Sequence, residues 1–219
     1  MIGWVRHLPA GILVVTYSVG VVGLSQPQWR GLFLTLTPVQ LLLTTALALA
    51  TQRAQVPRPA QALWAAAIAG AGWLLEVVGV HTGVLFGHYT YGSPFSVQVL
   101  SVPLLIGINW LLLVACSSAL ALRLSTQPTV ATLLAASIMT ALDWLMEPVA
   151  QALGFWYWQD GLIPLQNYIM WWVASAMLCG LYIRFLRPTN TLAPWVLVCQ
   201  FSFFLLLRLI LLRELALPN

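Results

Sequence analysis

Acidic side chains inside apolar stretches are the first chemical feature of this sequence. Of its five acidic residues, Asp160 and Glu214 stand in short polar stretches where water is expected to solvate them. Glu76, Asp143 and Glu147 stand inside long apolar runs. An ionisable group in hydrocarbon costs several kcal/mol, so a carboxyl there is functional by default. The alternative is a structural carboxyl, held by an arginine or by a hydrogen bond from another helix.

The spacing of these three acids indicates general acid and base chemistry. Asp143 and Glu147 are four residues apart and therefore share one face of a helix. Glu76 lies about 6 Å before the end of its helix, and Glu147 and Asp143 lie about 9 and 15 Å before the end of theirs. Because both helices run toward the same side, we expect the three carboxyls to meet in one cavity. Burial and mutual repulsion favour at least one protonated carboxyl, so the set offers both an acid and a base.

A proline and several large side chains accompany the acids. Pro148 has no N–H to give the carbonyl of Trp144. It therefore predicts either a free carbonyl that could hold a water or a plain packing kink. Glu76 and His81 could in principle share a metal, but no second histidine stands at helical spacing, so no metal site is predicted. Further polar and aromatic side chains are expected on the same side: Asn109, Gln166, Asn167, Trp110, Trp144, Trp171 and Trp172.

Two loops rich in glycine and aromatic residues, 81–92 and 154–161, are expected on the side toward which the acids lie. Tyrosine and tryptophan favour the membrane interface, so one interpretation is an aromatic belt. Glycine also permits the tight backbone of a capping or re-entrant loop. Each loop follows a helix carrying a glutamate near its end, and each is followed by a proline. This faint duplication predicts two hairpins that face each other.

The elements that must position these residues are membrane-spanning helices. The chain has 219 residues, of which 61% are hydrophobic and 6% charged, and its mean hydropathy is +0.90. That composition excludes a soluble domain, a disordered tail, a disulfide scaffold and a nucleic-acid reader. We predict an all-α polytopic transmembrane bundle, surrounded by lipid, that forms a single domain over residues 1–219. A span needs roughly 20 apolar residues, and seven stretches qualify: about 8–25, 31–51, 61–80, 99–122, 128–153, 164–186 and 192–212.

Several kinds of catalytic chemistry are excluded because the residue types that they need are missing or rare. All nine basic residues are arginine, which excludes Schiff-base and pyridoxal chemistry on lysine. Three histidines are too few for a membrane di-iron site. The cysteines stand far apart in apolar runs and are interpreted as packing residues: Cys116, Cys179 and Cys199.

Arginines in the loops set the expected orientation. Six arginines share the side of the N-terminus and three share the other side, which favours a cytoplasmic N-terminus. The six are Arg6, Arg53, Arg58, Arg123, Arg184 and Arg187, and the three are Arg30, Arg208 and Arg213.

An apolar pocket that contains carboxyls, amides, aromatic rings and a water suits acid–base addition to an apolar substrate. A protonated carboxyl can protonate an isolated C=C bond, and aromatic faces stabilise the resulting carbocation. A second carboxylate can activate the water that traps it as an alcohol. The pocket must otherwise exclude water.

At these residues the chain resembles the prokaryotic carotenoid-biosynthesis membrane family. That family includes carotenoid 1′,2′-hydratases of the CruF type and bisanhydrobacterioruberin hydratases. The similarity covers about residues 70–175, and its motifs are specific as a group. They are Glu76-x-x-Gly-Val-His-Thr-Gly-x-x-Phe-Gly-x-Tyr-x-Tyr-Gly92, Pro103 with Asn109-Trp110, Asp143-x-x-x-Glu-Pro148, Gly154-Phe-Trp-x-Trp158, and Pro164 with Asn167-Tyr168 and Trp171.

The resemblance implies a hydro-lyase that adds water across the terminal 1′,2′ double bond of an acyclic or monocyclic carotenoid, without a cofactor. Asp143 is the expected proton donor because it is deepest, and Glu147 or Glu76 is expected to activate the water. Two alternatives remain open: a polyene cyclase or isomerase using the same acids, and a proton-coupled transporter. Residues expected to bind or position the substrate are His81, His88, Tyr89, Tyr91, Asn109, Trp110, Trp144, Trp156, Trp158, Asn167 and Trp171.

Overall fold

The structure, a computed structural model, describes residues 8–92, 94 and 97–216, with side chains as far as residue 211. The side chains of Arg6, Arg213 and Glu214, which enter the predicted orientation and solvation, lie outside the described part. Seven described helices are long and apolar enough to cross a membrane, which confirms the predicted helical bundle. They are α1 (Leu8–Ser25), α2 (Pro27–Thr51), α3 (Arg58–Thr82), α4 (Leu104–Leu124), α5 (Pro128–Ala152), α6 (Leu165–Leu186) and α7 (Ala193–Ala216).

Short antiparallel strand pairs tie the connecting segments together. Two of the pairs join segments that are distant in sequence, and β3 and β4 form a local hairpin. The strands are β1 (Gln52–Arg53) with β6 (Thr189–Asn190), β2 (Tyr89–Tyr91) with β5 (Trp156–Trp158), and β3 (Gln98–Val99) with β4 (Val102–Pro103).

The fourth helix begins later than its predicted start near residue 99. Leu100 and Ser101 have φ angles of 49° and 61°, and such left-handed residues do not continue an α-helix. They form the turn of the β3–β4 hairpin, and Pro103 then precedes the first helical residue. The apolar run is therefore longer than the helix that it contains.

Helix α4 is the centre of the bundle. It packs against α2, α3, α5, α6 and α7, and α1 packs against α2 and α7. Most of its side chains from Ile106 to Ala121 are buried, whereas the other helices expose leucine and valine around the perimeter. That pattern suits a bundle in lipid, where the outer surface stays apolar. The three cysteines are buried and free, in agreement with their expected packing role.

A buried asparagine joins the end of α2 to the start of α7 at the bundle end that carries β1 and β6. Asn190 Oδ1 accepts hydrogen bonds from the backbone N–H of Leu192 and Ala193 at 2.8 and 3.2 Å and from the Thr51 hydroxyl at 3.1 Å. Its Nδ2 donates to the carbonyl of Ala48 at 2.8 Å. One side chain therefore caps α7 and binds the end of α2.

We expect Asn190→Ala to lower the free energy of unfolding by about 2 kcal/mol, because it removes a cap and leaves buried backbone groups unpaired. Thermal unfolding in detergent measures the loss. Thr189→Ala, at an exposed neighbouring position, is the matched control and should leave the melting temperature unchanged. Equal melting temperatures for the two variants would contradict a capping role.

Candidate functional site

The three membrane carboxyls line one cavity of about 380 Å³. Glu76 of α3 and Asp143 and Glu147 of α5 are 4%, 0% and 3% exposed. They meet because α3 and α5 run toward the same end of the bundle and the carboxyls lie at similar depths. The expectation that these acids converge agrees with the structure.

The β2–β5 pair covers the cavity at this end, and we call it the aromatic ribbon (residues 89–91 and 156–158). Tyr89 pairs with Trp158 and Tyr91 pairs with Trp156. Because side chains alternate along a strand, these four aromatics share the face toward the carboxyls. Tyr157, on the opposite face, is 52% exposed. The two glycine-rich loops thus form a cap, and the aromatic-belt interpretation does not describe these four side chains.

Glu76 accepts three hydrogen bonds from side chains. The hydroxyls of Tyr89 and Tyr91 donate to Oε2, the latter at 2.8 Å, and the Trp110 ring N–H donates to Oε1 at 3.0 Å. Burial first, and then the nearby Glu76 carboxylate, raise the pKa of both phenols well above its ordinary value. The phenols therefore remain donors. An acceptor surrounded in this way is stabilised as a carboxylate.

Glu147 has a matching set of partners. The ring N–H groups of Trp156 and Trp158 donate to Oε2, each at 2.8 Å, and the Asn167 amide donates to Oε1 at 3.3 Å. These donors also favour the carboxylate form. Each glutamate is therefore held by the aromatic strand of its own hairpin and by one residue of the next helix.

Asp143 differs from both glutamates. Its Oδ2 accepts from the Asn167 amide at 3.0 Å, while its Oδ1 is buried and has no hydrogen-bond partner among the described residues. An unpaired buried oxygen on an ionised carboxylate is costly. A protonated Asp143 with its O–H directed into the cavity avoids this cost. The geometry therefore suits Asp143 as an acid and the glutamates as acceptors.

The two hairpins suggested by the faint sequence duplication hold their glutamates in the same way, but they differ at one position. Four residues before Glu147 stands Asp143, whereas four residues before Glu76 stands Gly72. A Cβ at Gly72 would clash with the Cβ and the ring of Trp110, so the Trp110 side chain occupies that space. One half of the site carries an acid where the other half carries an aromatic ring.

Aromatic faces form the wall beside the acids. The rings of Trp110 and Trp171 stack with centroids 4.3 Å apart and an interplanar angle of 16°. Both rings line the cavity together with Asn109. Such faces attract positive charge in a dry pocket.

Three residues expected near the substrate lie away from the cavity. His81 is exposed, and its Nε2 lies 3.2 Å from the carbonyl of Leu100. His88 is exposed, and its ring lies over Gly83, where a Cβ would clash with it. Trp144 is 51% exposed on the outer face of α5. These side chains contribute to the cap and to helix packing, and they are not part of the proposed site.

The carbonyl freed by Pro148 does not face the cavity. Arg208 of α7 donates to the carbonyl of Trp144 at 3.1 Å, and its guanidinium lies 4.2 Å from the centre of the Trp144 ring. The expected free carbonyl is therefore a contact between α5 and α7, not a water site. Arg208 binds the carbonyl and the ring of Trp144 and therefore does not neutralise the acids.

Helices α1, α2 and α7 contribute cavity residues that the sequence motifs do not indicate. Gln40 and Gln200 line the cavity beside Thr16 and Tyr17, and Gln200 Oε1 is buried with no hydrogen-bond partner among the described residues. A glutamine inside an apolar run is a visible signal. Both glutamines lie outside residues 70–175, the region that carries the family motifs, so the motifs predict no role in the site for them.

We expect Tyr91→Phe to lower turnover roughly tenfold. A hydrogen bond to a charged group contributes about 1.5–3 kcal/mol, and its loss allows Glu76 to move. Turnover and melting temperature are measured together in the same detergent. Tyr157→Phe alters the same ribbon on its exposed face and should change neither. If both variants behave alike, the contact with Glu76 has no role in activity.

Comparison with known proteins agrees with the motifs. Residues 36–217 match the family model described as carotenoid biosynthesis protein. A bisanhydrobacterioruberin hydratase from Haloarcula japonica is 28% identical over 116 residues, which are 47% of this chain and 38% of that protein. The chain thus matches well under two thirds of that relative's length, and no solved structure matches it. Because the family model covers most of the sequence, the chain belongs to the carotenoid biosynthesis protein family.

Proposed function

We propose that this protein is a carotenoid hydratase that adds water across the isolated terminal 1′,2′ double bond of an acyclic or monocyclic carotenoid. Family membership supports a carotenoid substrate, and the name of the Haloarcula japonica relative supports hydration. The observation that carries the mechanism is the contrast between three carboxyls in one cavity. The buried Asp143 Oδ1 has no hydrogen-bond partner among the described residues, whereas both oxygens of each glutamate accept hydrogen bonds.

The reaction begins with proton transfer from Asp143. The O–H bond breaks, and the π electrons of the alkene form a new C–H bond at C2′, which leaves a tertiary carbocation at C1′. The Asp143 carboxylate keeps the electron pair of the O–H bond. Its Oδ2 retains the hydrogen bond from Asn167, which stabilises the new negative charge.

The cation is then stabilised and trapped. The stacked Trp110 and Trp171 rings offer their faces, and the carboxylate of Glu76 offers negative charge. A water oxygen bonds to C1′, and Glu147 accepts the released proton. Asn167 Nδ2 donates to both Asp143 Oδ2 and Glu147 Oε1, so the two carboxyls flank one amide. We propose that the proton returns to Asp143 through a water between them. The net change is the addition of one water with no redox step, and we therefore propose that no cofactor is needed.

The structure does not favour a transporter. A cyclase or isomerase is the alternative enzyme, and its product distinguishes it from a hydratase. Each of the seven described spans is one continuous helix, whereas the binding sites of such carriers are typically formed by broken helices. A cyclase or isomerase would form the same cation and then lose a proton or close a ring, and its product would gain no water.

Oxygen-isotope labelling tests hydration directly. In anaerobic ¹⁸O-labelled water, membranes containing the protein and lycopene should give a product heavier by one water, with the label in its hydroxyl. Label from ¹⁸O₂, or inactivation by an iron chelator, would overturn acid–base hydration. A product of unchanged mass would assign the protein to the isomerases or cyclases.

We also propose the orientation in the membrane. The excess of loop arginines at the end carrying β1 and β6 favours a cytoplasmic location for that end. The aromatic ribbon and the carboxyls would then lie toward the outer side of a prokaryotic cell membrane.

A further inference from the structure

The exposure of the cavity wall is uneven. Of the described residues that line the cavity, three are exposed: Val15, Val19 and Leu36. Val15 and Val19 belong to α1 and Leu36 belongs to α2. Their exposed fractions are 61%, 51% and 43%. The wall is therefore interrupted where α1 and α2 face lipid.

The other sides of the cavity are closed. The aromatic ribbon covers the end beside the carboxyls, and the described lining residues of α3, α4, α5, α6 and α7 are buried or half-buried. A lipophilic molecule thus has one direct route among the described walls, between α1 and α2.

A groove continues outward from this interruption. Val19 and Phe33 line both the cavity and an adjoining apolar groove on α1 and α2, which also includes Val22, Trp29 and Leu32. The Phe33 ring lies so close to Gly23 that a Cβ there would clash with it. The absence of a side chain at Gly23 allows Phe33 to stand at the junction between cavity and groove.

A polar contact fixes the two helices beside the opening. Gln40 Nε2 donates to the Thr16 hydroxyl at 3.0 Å, and Pro38 interrupts the hydrogen bonding of α2 next to it. A glutamine in the apolar part of a membrane helix is expensive unless it is paired. This contact therefore holds α1 and α2 together on one side of the opening.

The size of the cavity limits what it can hold. A volume of about 380 Å³ is near the lower end of the roughly 300–1,000 Å³ that pockets for drug-sized ligands span. A carotenoid is a long stiff polyene with a reactive group at its end. The cavity accommodates that end group, and the rest of the chain must leave the cavity.

We propose that the carotenoid reaches the carboxyls from the bilayer through the opening between α1 and α2, and that its polyene chain lies in the α1–α2 groove during the reaction. This inference rests on the proposed function and adds the route and the position of the chain. The occupant of the groove is the unreacted part of the substrate.

Matched tryptophan substitutions test the route. Leu36→Trp places a large ring in the opening, whereas Val39→Trp places it at a position of α2 that is also exposed, at 59%, and does not line the cavity. We expect the first variant to lose at least tenfold in kcat/KM for lycopene in liposomes, and the second to match the wild-type protein. Val15→Trp and Val14→Trp form an equivalent pair on α1. Equal activity within both pairs would overturn the proposed route.

Photo-crosslinking tests the position of the chain without relying on turnover. A diazirine amino acid at position 32, where Leu32 lines the groove and is 52% exposed, should give an adduct with the mass of lycopene in lycopene-containing membranes, and at position 39 it should give lipid adducts alone. Lipid adducts alone at position 32 would overturn the inference even if the protein hydrates lycopene. A lycopene adduct at position 32 in a protein that adds no water would support the inference and overturn the proposed hydration.

Discussion

Asp143→Asn is expected to reduce hydration roughly 10²- to 10⁴-fold, the usual effect of removing a general acid. The amide has nearly the shape of the carboxyl, and its oxygen can still accept the hydrogen bond that Asn167 now donates to Oδ2. Its N–H group cannot protonate an alkene. The variant should therefore insert and fold normally while product formation falls by this factor. Pigment extraction from a lycopene-producing host, with product masses compared, measures the loss.

The control for this substitution is Asp160→Asn, which makes the same chemical change at an exposed position of the loop. It should retain full activity, and both variants should unfold at the wild-type temperature. Near-normal turnover by Asp143→Asn would transfer the acid role to Glu147 or Glu76.

Glu147→Gln is expected to separate protonation from hydration. Without the carboxylate that accepts the water proton, trapping of the cation should slow by roughly 10²- to 10⁴-fold. Asp143 can still protonate C2′, and the Asp143 carboxylate can then take a proton back. In deuterated water, recovered substrate should therefore carry deuterium at C2′ although little alcohol forms. Mass spectrometry of the recovered carotenoid detects this exchange.

Comparison with Asp143→Asn and Glu76→Gln shows which carboxyl is the acid and which is the base. Asp143→Asn should show neither exchange nor hydration, because no cation forms. If Glu76→Gln shows exchange without hydration and Glu147→Gln keeps its activity, Glu76 activates the water. Loss of both exchange and hydration in Glu147→Gln would assign the proton-donor role to Glu147.

The helices and the convergence of the acids could be predicted because each depends on local information. Apolar runs of membrane length are helical wherever they occur, since every backbone polar group must be paired within hydrocarbon. The spacing of Asp143 and Glu147 fixes a shared face, and counting residues to each helix end fixes depth. Composition does not locate a helix end where a turn lies inside an apolar run, as at Leu100 and Ser101.

The roles of the individual acids required the tertiary structure. The sequence shows three carboxyls of similar surroundings, whereas the fold gives three donors to Glu76, three to Glu147 and one to Asp143. These donors come from segments that pair only after the chain has folded, since the two strands of the aromatic ribbon belong to different hairpins.

The membrane bundle, the three acids, their common depth and the family motifs follow from the sequence. Only the packing of the helices shows that Trp144, His81 and His88 lie away from the cavity, and that α1 and α2 form its exposed wall. Composition and helical period report what a residue contributes to its own element. Which side chain faces a cavity depends on how the helices pack against α4, and packing joins residues that no local pattern connects.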